Sequence, residues 1–128
     1  MADQHVTPMI HVPDVRAALG WYQSIGFSVL NTFEDEQDGM TFAIMAYGNS
    51  QIMLNAGGRL STEDRREVDL YVRTDRVERL YEDLKSRVEV RQGLEDTFYG
   101  AREFIVRDLN GFWLTFGQDI PEMQPQSN

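Results

Sequence analysis

The order of predicted elements repeats once along this chain, and that repeat limits the possible folds more than any other feature. Residues 6–56 show the pattern of a strand, a helix and three strands, and residues 67–118 show the same order again. Asp14 and Asp75 precede the two predicted helices at equivalent places. A repeated order of this kind is typical of a duplicated structural unit. The sequence therefore predicts two βαβββ modules and an α+β fold.

The module boundaries follow from the turn and linker residues. We expect the first module at about 5–57 and the second at about 66–118, followed by a tail at 119–128. The polar, glycine-containing segment 57–65 joins them. The chain has 128 residues, the usual length of one domain. We therefore expect a single domain built from both modules.

Both predicted helices carry an apolar stripe at helical spacing. Asp14 is a typical N-cap for the first helix and Gly26 a typical C-terminal glycine. For the second helix, 76–86, either Thr74 or Asp75 can serve as the cap. The stripes consist of Val15, Ala18, Leu19 and Tyr22 in the first helix, and of Val77, Leu80, Tyr81 and Leu84 in the second. We interpret these stripes as packing faces.

The strand predicted at 67–73 separates its side chains into two rows, since alternate residues of a strand face opposite sides. One row is apolar and predicts core: Val68, Leu70 and Val72. The other row holds two carboxylates and a phenol, followed by an arginine: Glu67, Asp69, Tyr71 and Arg73. In the last strand the apolar row is Phe112, Leu114 and Phe116, and the opposite row contains Trp113 and Thr115.

Composition excludes several classes of function. The chain has no cysteine, so it has no disulfide, thiolate metal site or cysteine nucleophile. Its net charge of −9 opposes nucleic-acid binding and favours cationic ligands. No apolar run reaches the roughly 18 residues of a membrane helix, and the N-terminus does not resemble a signal peptide. We expect a cytoplasmic protein with no nucleic-acid or membrane partner.

Three stretches together resemble a known family. Residues 9–27 resemble its opening strand and helix, residues 66–72 with Asp75 its second module, and residues 99–118 its closing hairpin. The chain is similar, over roughly residues 5–118, to the vicinal oxygen chelate superfamily, in its glyoxalase, bleomycin-resistance-protein and dioxygenase group. The resemblance implies that two modules form a curved mixed sheet around one cleft.

The resemblance also implies where a metal would bind. In metal-dependent members, four cleft-facing positions hold a divalent ion, and these correspond here to Thr7, Met53, Glu67 and Thr115. Only Glu67 has the hard, charged oxygen that such ions require. We therefore expect no metal, no cofactor and no catalytic residue. The alternative is an enzyme: a glyoxalase-like lyase, isomerase or dioxygenase with an atypical metal site that includes His5 and Glu67, or a metal-free isomerase or lyase.

The function implied is that of the bleomycin-resistance branch, which binds a small molecule without chemistry. We expect an acidic cleft that sequesters a cationic or aromatic antibiotic, in a protein that forms a homodimer. Trp113 and Met53 either fill the space of the lost ion or serve as a platform for the ligand, and a domain used only for pairing is a third hypothesis. The predicted ligand-binding residues are His11, Met53, Glu67, Asp69, Tyr71, Trp113 and Thr115.

Overall fold

The computed structural model describes residues 4–61 and 63–121. The chain divides into two compact units between Leu60 and Ser61, within the predicted linker. Each unit is a four-stranded mixed sheet with one helix, so the two predicted βαβββ modules are confirmed. Neither helix of the described chain combines the length and the apolar character that crossing a membrane requires.

The first unit contains one short strand, one helix and three longer strands. Its sheet has the order β1-β4-β3-β2, with β1 parallel to β4 and the other pairs antiparallel. The elements are β1 (Met9–His11), α1 (Val15–Ser24), β2 (Ser28–Asp35), β3 (Gly39–Tyr47) and β4 (Ser50–Asn55). The first strand is short, because only three of its residues pair with β4.

Helix α1 begins and packs as the sequence predicts. The Asp14 side chain accepts a hydrogen bond from Ala17 N at 3.0 Å, which satisfies a free amide of the first turn. After the helix, Gly26 has a φ of 115°, a conformation that favours glycine. All four residues of the predicted stripe are buried: Val15, Ala18, Leu19 and Tyr22.

The second unit repeats this topology. Its sheet has the order β5-β8-β7-β6, with β5 parallel to β8 and the other pairs antiparallel. The elements are β5 (Asp69–Arg73), α2 (Val77–Leu84), β6 (Glu89–Asp96), β7 (Ala101–Arg107) and β8 (Trp113–Asp119). The predicted alternation in the last strand is confirmed, since Phe112, Leu114 and Phe116 are buried while Trp113 and Thr115 are only half-buried.

The start of α2 corrects the prediction from sequence. Neither Thr74 nor Asp75 is the N-cap residue. That residue is Arg76, which makes no side-chain capping bond, and Thr74 Oγ1 accepts from the amide of Arg76 itself. Instead, Val77 N donates to Gln118 Oε1 of β8 at 2.9 Å. A side chain distant in sequence therefore satisfies this helix end. Of the predicted stripe, Val77 and Leu84 are buried, and Leu80 and Tyr81 are half-buried.

The prediction that Val68 belongs to the core is wrong. Its side chain is 57% exposed, because pairing of β5 with β8 begins only at Asp69. Before Asp69 the chain contacts the turn that precedes β8, where Arg66 N donates to Gly111 O at 3.1 Å. Leu70 and Val72 are buried as predicted.

Candidate functional site

A cavity of about 440 Å³ lies in the second unit. It is on the face of the sheet opposite α2, because Tyr81 of α2 packs on Phe104 of β7, whereas the neighbouring residues Glu103 and Ile105 face the cavity. Its size is within the range of small-molecule sites. The lining residues are Tyr71, Gln92, Glu95, Asp96, Thr97, Phe98, Tyr99, Glu103, Ile105 and Thr115.

Glu103 is the buried carboxylate among the residues that line this cavity. Its side chain is only 4% exposed, yet within the described chain it makes no ion pair. Tyr71 Oη donates to Glu103 Oε2 at 2.7 Å, and Tyr99 Oη donates to Glu103 Oε1 at 2.7 Å. A buried carboxylate without a cationic partner is costly, and hydrogen bonds to its charged form reduce that cost. Two phenols thus replace the cation that a buried carboxylate usually has.

Gly117 allows the phenol of Tyr71 to reach Glu103. Glu103 of β7 pairs directly with Gly117 of β8, while Tyr71 lies on β5, the strand on the other side of β8. A Cβ atom on Gly117 would lie 2.6 Å from Tyr71 Cζ and nearer still to its hydroxyl oxygen. Such an approach is sterically impossible, so the hydrogen bond across β8 depends on a residue without a side chain.

Both phenols stay protonated at neutral pH. Burial, and then the hydrogen bond to Glu103, raise the pKa of Tyr71. For Tyr99, the hydrogen bond to Glu103 is the largest cause of a raised pKa. In each case ionisation would place a second negative charge beside the carboxylate, which is unfavourable. The two hydroxyls are therefore hydrogen-bond donors to Glu103.

The β6–β7 connection supplies the other polar groups. Gln92 Nε2 donates to Glu95 Oε1 at 2.8 Å, and Thr97 Oγ1 donates to Ala101 O at 3.0 Å. Asp96 accepts a hydrogen bond from Arg102 at 2.6 Å, which lowers the pKa of that carboxyl group.

Two aromatic rings from the same connection complete the lining. Phe98 is 97% exposed and contacts the ring of Tyr99 edge-on, with 5.1 Å between ring centroids. The cavity thus combines an aromatic rim with a carboxylate floor.

Of the residues predicted from sequence, Tyr71 and Thr115 line this cavity. They are direct partners in the parallel β5–β8 pair, and the next residues along the same rows are Asp69 and Trp113, which also pair. The structure therefore places four of the predicted residues on one continuous surface. Glu67 precedes β5, is exposed and does not line the cavity.

The two remaining predicted residues belong to the first unit. His11 pairs with Asn55, and Met53 pairs with Met9 and Ile44. His11 is exposed and Met53 is half-buried. A shared ligand site that includes them and the second unit stays a prediction.

Trp113 is covered by arginines of its own chain. The guanidinium carbon of Arg65 lies 4.3 Å from the Trp113 ring centroid, and Arg65 also forms an ion pair with Asp69. Arg91 lies over the same ring at 5.4 Å. Trp113 Nε1 donates to the carbonyl oxygen of Asp64 at 2.9 Å. The predicted combination of an acidic residue and a stacking ring is thus present, with Arg65 in the place of a cationic ligand.

The residues at the family's four metal positions do not fit a divalent ion. Thr7, Met53 and Thr115 offer two neutral hydroxyls and a thioether, which are poor ligands for the hard or borderline ions concerned. In residues 4–61 and 63–121 there is also no group of three or more His, Cys, Asp or Glu side chains that could hold a metal.

Sequence reasoning missed Glu103, Gly117 and Arg65. For Glu103 a signal exists: along β7 it shares a face with Ala101 and Ile105, so a carboxylate stands within an otherwise apolar row. The contributions of Gly117 and Arg65 depend on which strands and linker residues become neighbours, and no local pattern indicates them.

Comparisons with known proteins agree with this topology. Residues 4–116 match the model of the Glyoxalase/Bleomycin resistance protein/Dioxygenase superfamily. No curated protein sequence matches the chain.

Several solved structures have a similar fold. TioX from Micromonospora sp. ML1 is 20% identical, with a TM-score of 0.74, covering 92% of this chain and 100% of TioX. FosX, a fosfomycin resistance protein from Listeria monocytogenes, is 14% identical, with a TM-score of 0.75 and coverage of 98% and 100%. A glyoxalase/bleomycin resistance protein/dioxygenase from Alicyclobacillus acidocaldarius is 16% identical, with a TM-score of 0.69 and coverage of 98% and 100%. The chain therefore belongs to the glyoxalase/bleomycin resistance protein/dioxygenase superfamily.

Proposed function

We propose that this protein binds a small organic ligand with cationic and aromatic character, and that it does so without transforming it. The observation that supports this most directly is the lining of the cavity in the second unit. Among the described lining residues are three carboxylates and three aromatic rings, and no Lys, Arg or His. The carboxylates are Glu95, Asp96 and Glu103, and the rings are those of Tyr71, Phe98 and Tyr99.

The carboxylates are arranged so that a cation would relieve repulsion. Glu95 and Glu103 are direct cross-strand partners on β6 and β7. Like charges opposite each other in an antiparallel pair destabilise it. Asp96 is neutralised by Arg102, whereas the one partner of Glu95 among the described residues is the neutral amide of Gln92. A ligand cation between Glu95 and Glu103 would interact favourably with both.

The aromatic rings would add a second contribution. A cation within about 6 Å of a ring face gains roughly 0.5–2 kcal/mol. The chain already makes such a contact, since Arg65 lies over Trp113 on the surface that continues from the cavity. A net charge of −9 would also attract cations from solution.

Binding without turnover is favoured by the state of the polar groups. Each phenol has its proton engaged with Glu103, and no cysteine is available as a nucleophile. Three of the family's four metal positions carry side chains that are poor ligands for a divalent ion. The similarity in fold to a fosfomycin resistance protein makes antibiotics a reasonable class of ligand to test.

The proposal can be tested by calorimetric titration of bleomycin and a panel of simple cationic aromatic compounds at low and high salt. We expect binding that weakens with salt, and Glu95→Gln should reduce both the affinity and its salt dependence. Glu36→Gln makes the same charge change in the β2–β3 turn, outside the lining, and is the matched control. The proposal fails if no cationic compound binds at millimolar concentration, or if both variants behave alike.

Proton NMR of a bound compound after prolonged incubation should show it unchanged, and a product would contradict the non-catalytic assignment.

A further inference from the structure

Most side-chain hydrogen-bond donors that line the cavity are already engaged with the protein. The hydroxyl hydrogens of Tyr71 and Tyr99 are directed to Glu103, and that of Thr97 is directed to Ala101 O. One amide hydrogen of Gln92 is directed to Glu95. The hydroxyl of Thr115 is free to rotate and can donate or accept. The side chains that line the cavity thus offer a ligand few free hydrogen-bond donors.

Acceptor sites, by contrast, remain. A carboxylate has about four lone-pair sites, and Glu103 uses one on each oxygen for a phenol. The hydroxyl hydrogens of Tyr71 and Tyr99 are used in hydrogen bonds to Glu103, so towards the cavity the phenol oxygens can only accept. Glu95 stands opposite Glu103 on the next strand and adds further acceptors. The result is a group of acceptor oxygens around one buried negative charge.

We propose that this group of oxygens binds a cation that carries N–H hydrogens, that is, a primary ammonium, amidinium or guanidinium group of the ligand. This inference rests on the proposed function and specifies its ligand. A primary ammonium offers three donors and a guanidinium five, so each fits a wall of acceptors. A permanently alkylated ammonium has the same charge but no donor. It would leave the Glu103 oxygens desolvated without new hydrogen bonds.

The raised pKa values of the two tyrosines support this interpretation. Burial and the Glu103 hydrogen bond keep Tyr71 protonated, and the Glu103 hydrogen bond does the same for Tyr99. The phenols therefore go on donating to Glu103 while a ligand binds. They hold the carboxylate in one orientation and leave its remaining lone pairs for the ligand.

The test compares two probes of equal charge: phenethylamine and its N,N,N-trimethyl derivative, titrated by calorimetry. We expect the primary amine to bind at least about tenfold more tightly, because hydrogen bonds to a charged acceptor are among the stronger ones. Glu103→Gln should lower the affinity for the amine by about tenfold or more and remove the difference between the probes. Glu36→Gln should change neither affinity.

The outcomes separate this inference from the proposed function. If both probes bind equally, or the trimethyl compound binds better, the inference is wrong while cation binding stands. If neither probe binds and the wider panel of cations also fails, both are wrong. If the amine is preferred but Glu103→Gln retains that preference, Glu103 is not its acceptor. Circular dichroism checks the fold of each variant. Should Glu103→Gln not fold, Tyr99→Phe at a half-exposed position replaces it, and an unchanged preference in that variant overturns the inference.

Discussion

Replacing Gly117 with alanine should break the hydrogen bond between Tyr71 and Glu103, although Gly117 is not a partner in that bond. The new Cβ would lie 2.6 Å from Tyr71 Cζ, well inside van der Waals contact. Gly117 does not have a positive φ, so its backbone accepts alanine without strain. Tyr71 is 49% exposed and can turn away towards solvent. We therefore expect the side chain to move and the backbone of β8 to stay in place.

The size of the effect follows from two opposing contributions. A hydrogen bond to a charged group is worth roughly 1.5–3 kcal/mol, and Glu103 is too buried for water to replace the lost donor easily. Exchanging glycine for alanine within a strand stabilises by roughly 0.5–1 kcal/mol. Gly117→Ala should thus lower the free energy of unfolding by roughly 0.5–2.5 kcal/mol.

A double-mutant cycle with Tyr71→Ala isolates the interaction. In that background the alanine at 117 meets no phenol, so it should raise the free energy of unfolding by roughly 0.5–1 kcal/mol. The coupling between positions 71 and 117 is then roughly 1.5–3 kcal/mol. The measurement is urea denaturation followed by circular dichroism. Gly20→Ala is the matched control, because a Cβ at Gly20 meets no atom within 4 Å, and its effect should be the same in both backgrounds.

Additivity would refute this reasoning. If Gly117→Ala changes the stability equally with and without Tyr71, then the glycine does not serve the passage of the phenol. In wild-type background, Gly117→Ala should also weaken binding of a primary amine, since Glu103 loses one of the groups that orient it.

Four further predictions concern pH, metal content, assembly and Trp113. Burial and the Glu103 hydrogen bond raise the pKa of Tyr71 above its unfolded value of about 10, so the contribution of Tyr71 to the stability of the fold is complete below about pH 10 and is lost as the pH rises further. Tyr71→Phe should flatten this alkaline decline in the free energy of unfolding. Parallel stability curves for the two proteins would contradict the prediction. Elemental analysis of dialysed protein should find no stoichiometric transition metal, and one ion per chain would show the prediction to be wrong. We expect a twofold-symmetric dimer, so light scattering at micromolar concentration should give twice the mass of one chain. The mass of a monomer would argue against pairing through the open sheet edges. In a Trp21→Phe background, Arg65→Ala should increase quenching of Trp113 fluorescence by acrylamide, and unchanged quenching would mean that Arg65 does not shield the ring.

The parts of the fold that were predictable depend on local periodicity. The apolar stripe of α1 and the alternation of β8 were confirmed because burial of one face imposes a fixed spacing on neighbouring residues. The prediction that Thr74 or Asp75 caps α2 was wrong because Gln118, far along the chain, satisfies the same helix end. Sequence patterns do not indicate such distant partners.

The candidate site shows the same division. Tyr71 and Thr115 were identified because alternation places them on the face opposite the core. Glu103 is important to the site because two phenols donate hydrogen bonds to it, one from β5 and one from the β6–β7 connection. The sequence also suggested a cation beside Asp69 and Trp113 without showing that Arg65 provides it, since the path of a linker has no periodic signature.

The position of Arg65 has a consequence for any ligand that approaches Trp113. A group held near its site by a short flexible connection acts as though it were present at millimolar concentration. Arg65 is only four residues from Asp69, so a free cation has to compete with a tethered guanidinium for this end of the surface. If the protein binds cations as proposed, a weakly binding one would be restricted to the part of the surface around Glu103, and a longer ligand would have to displace the tethered arginine to reach Trp113.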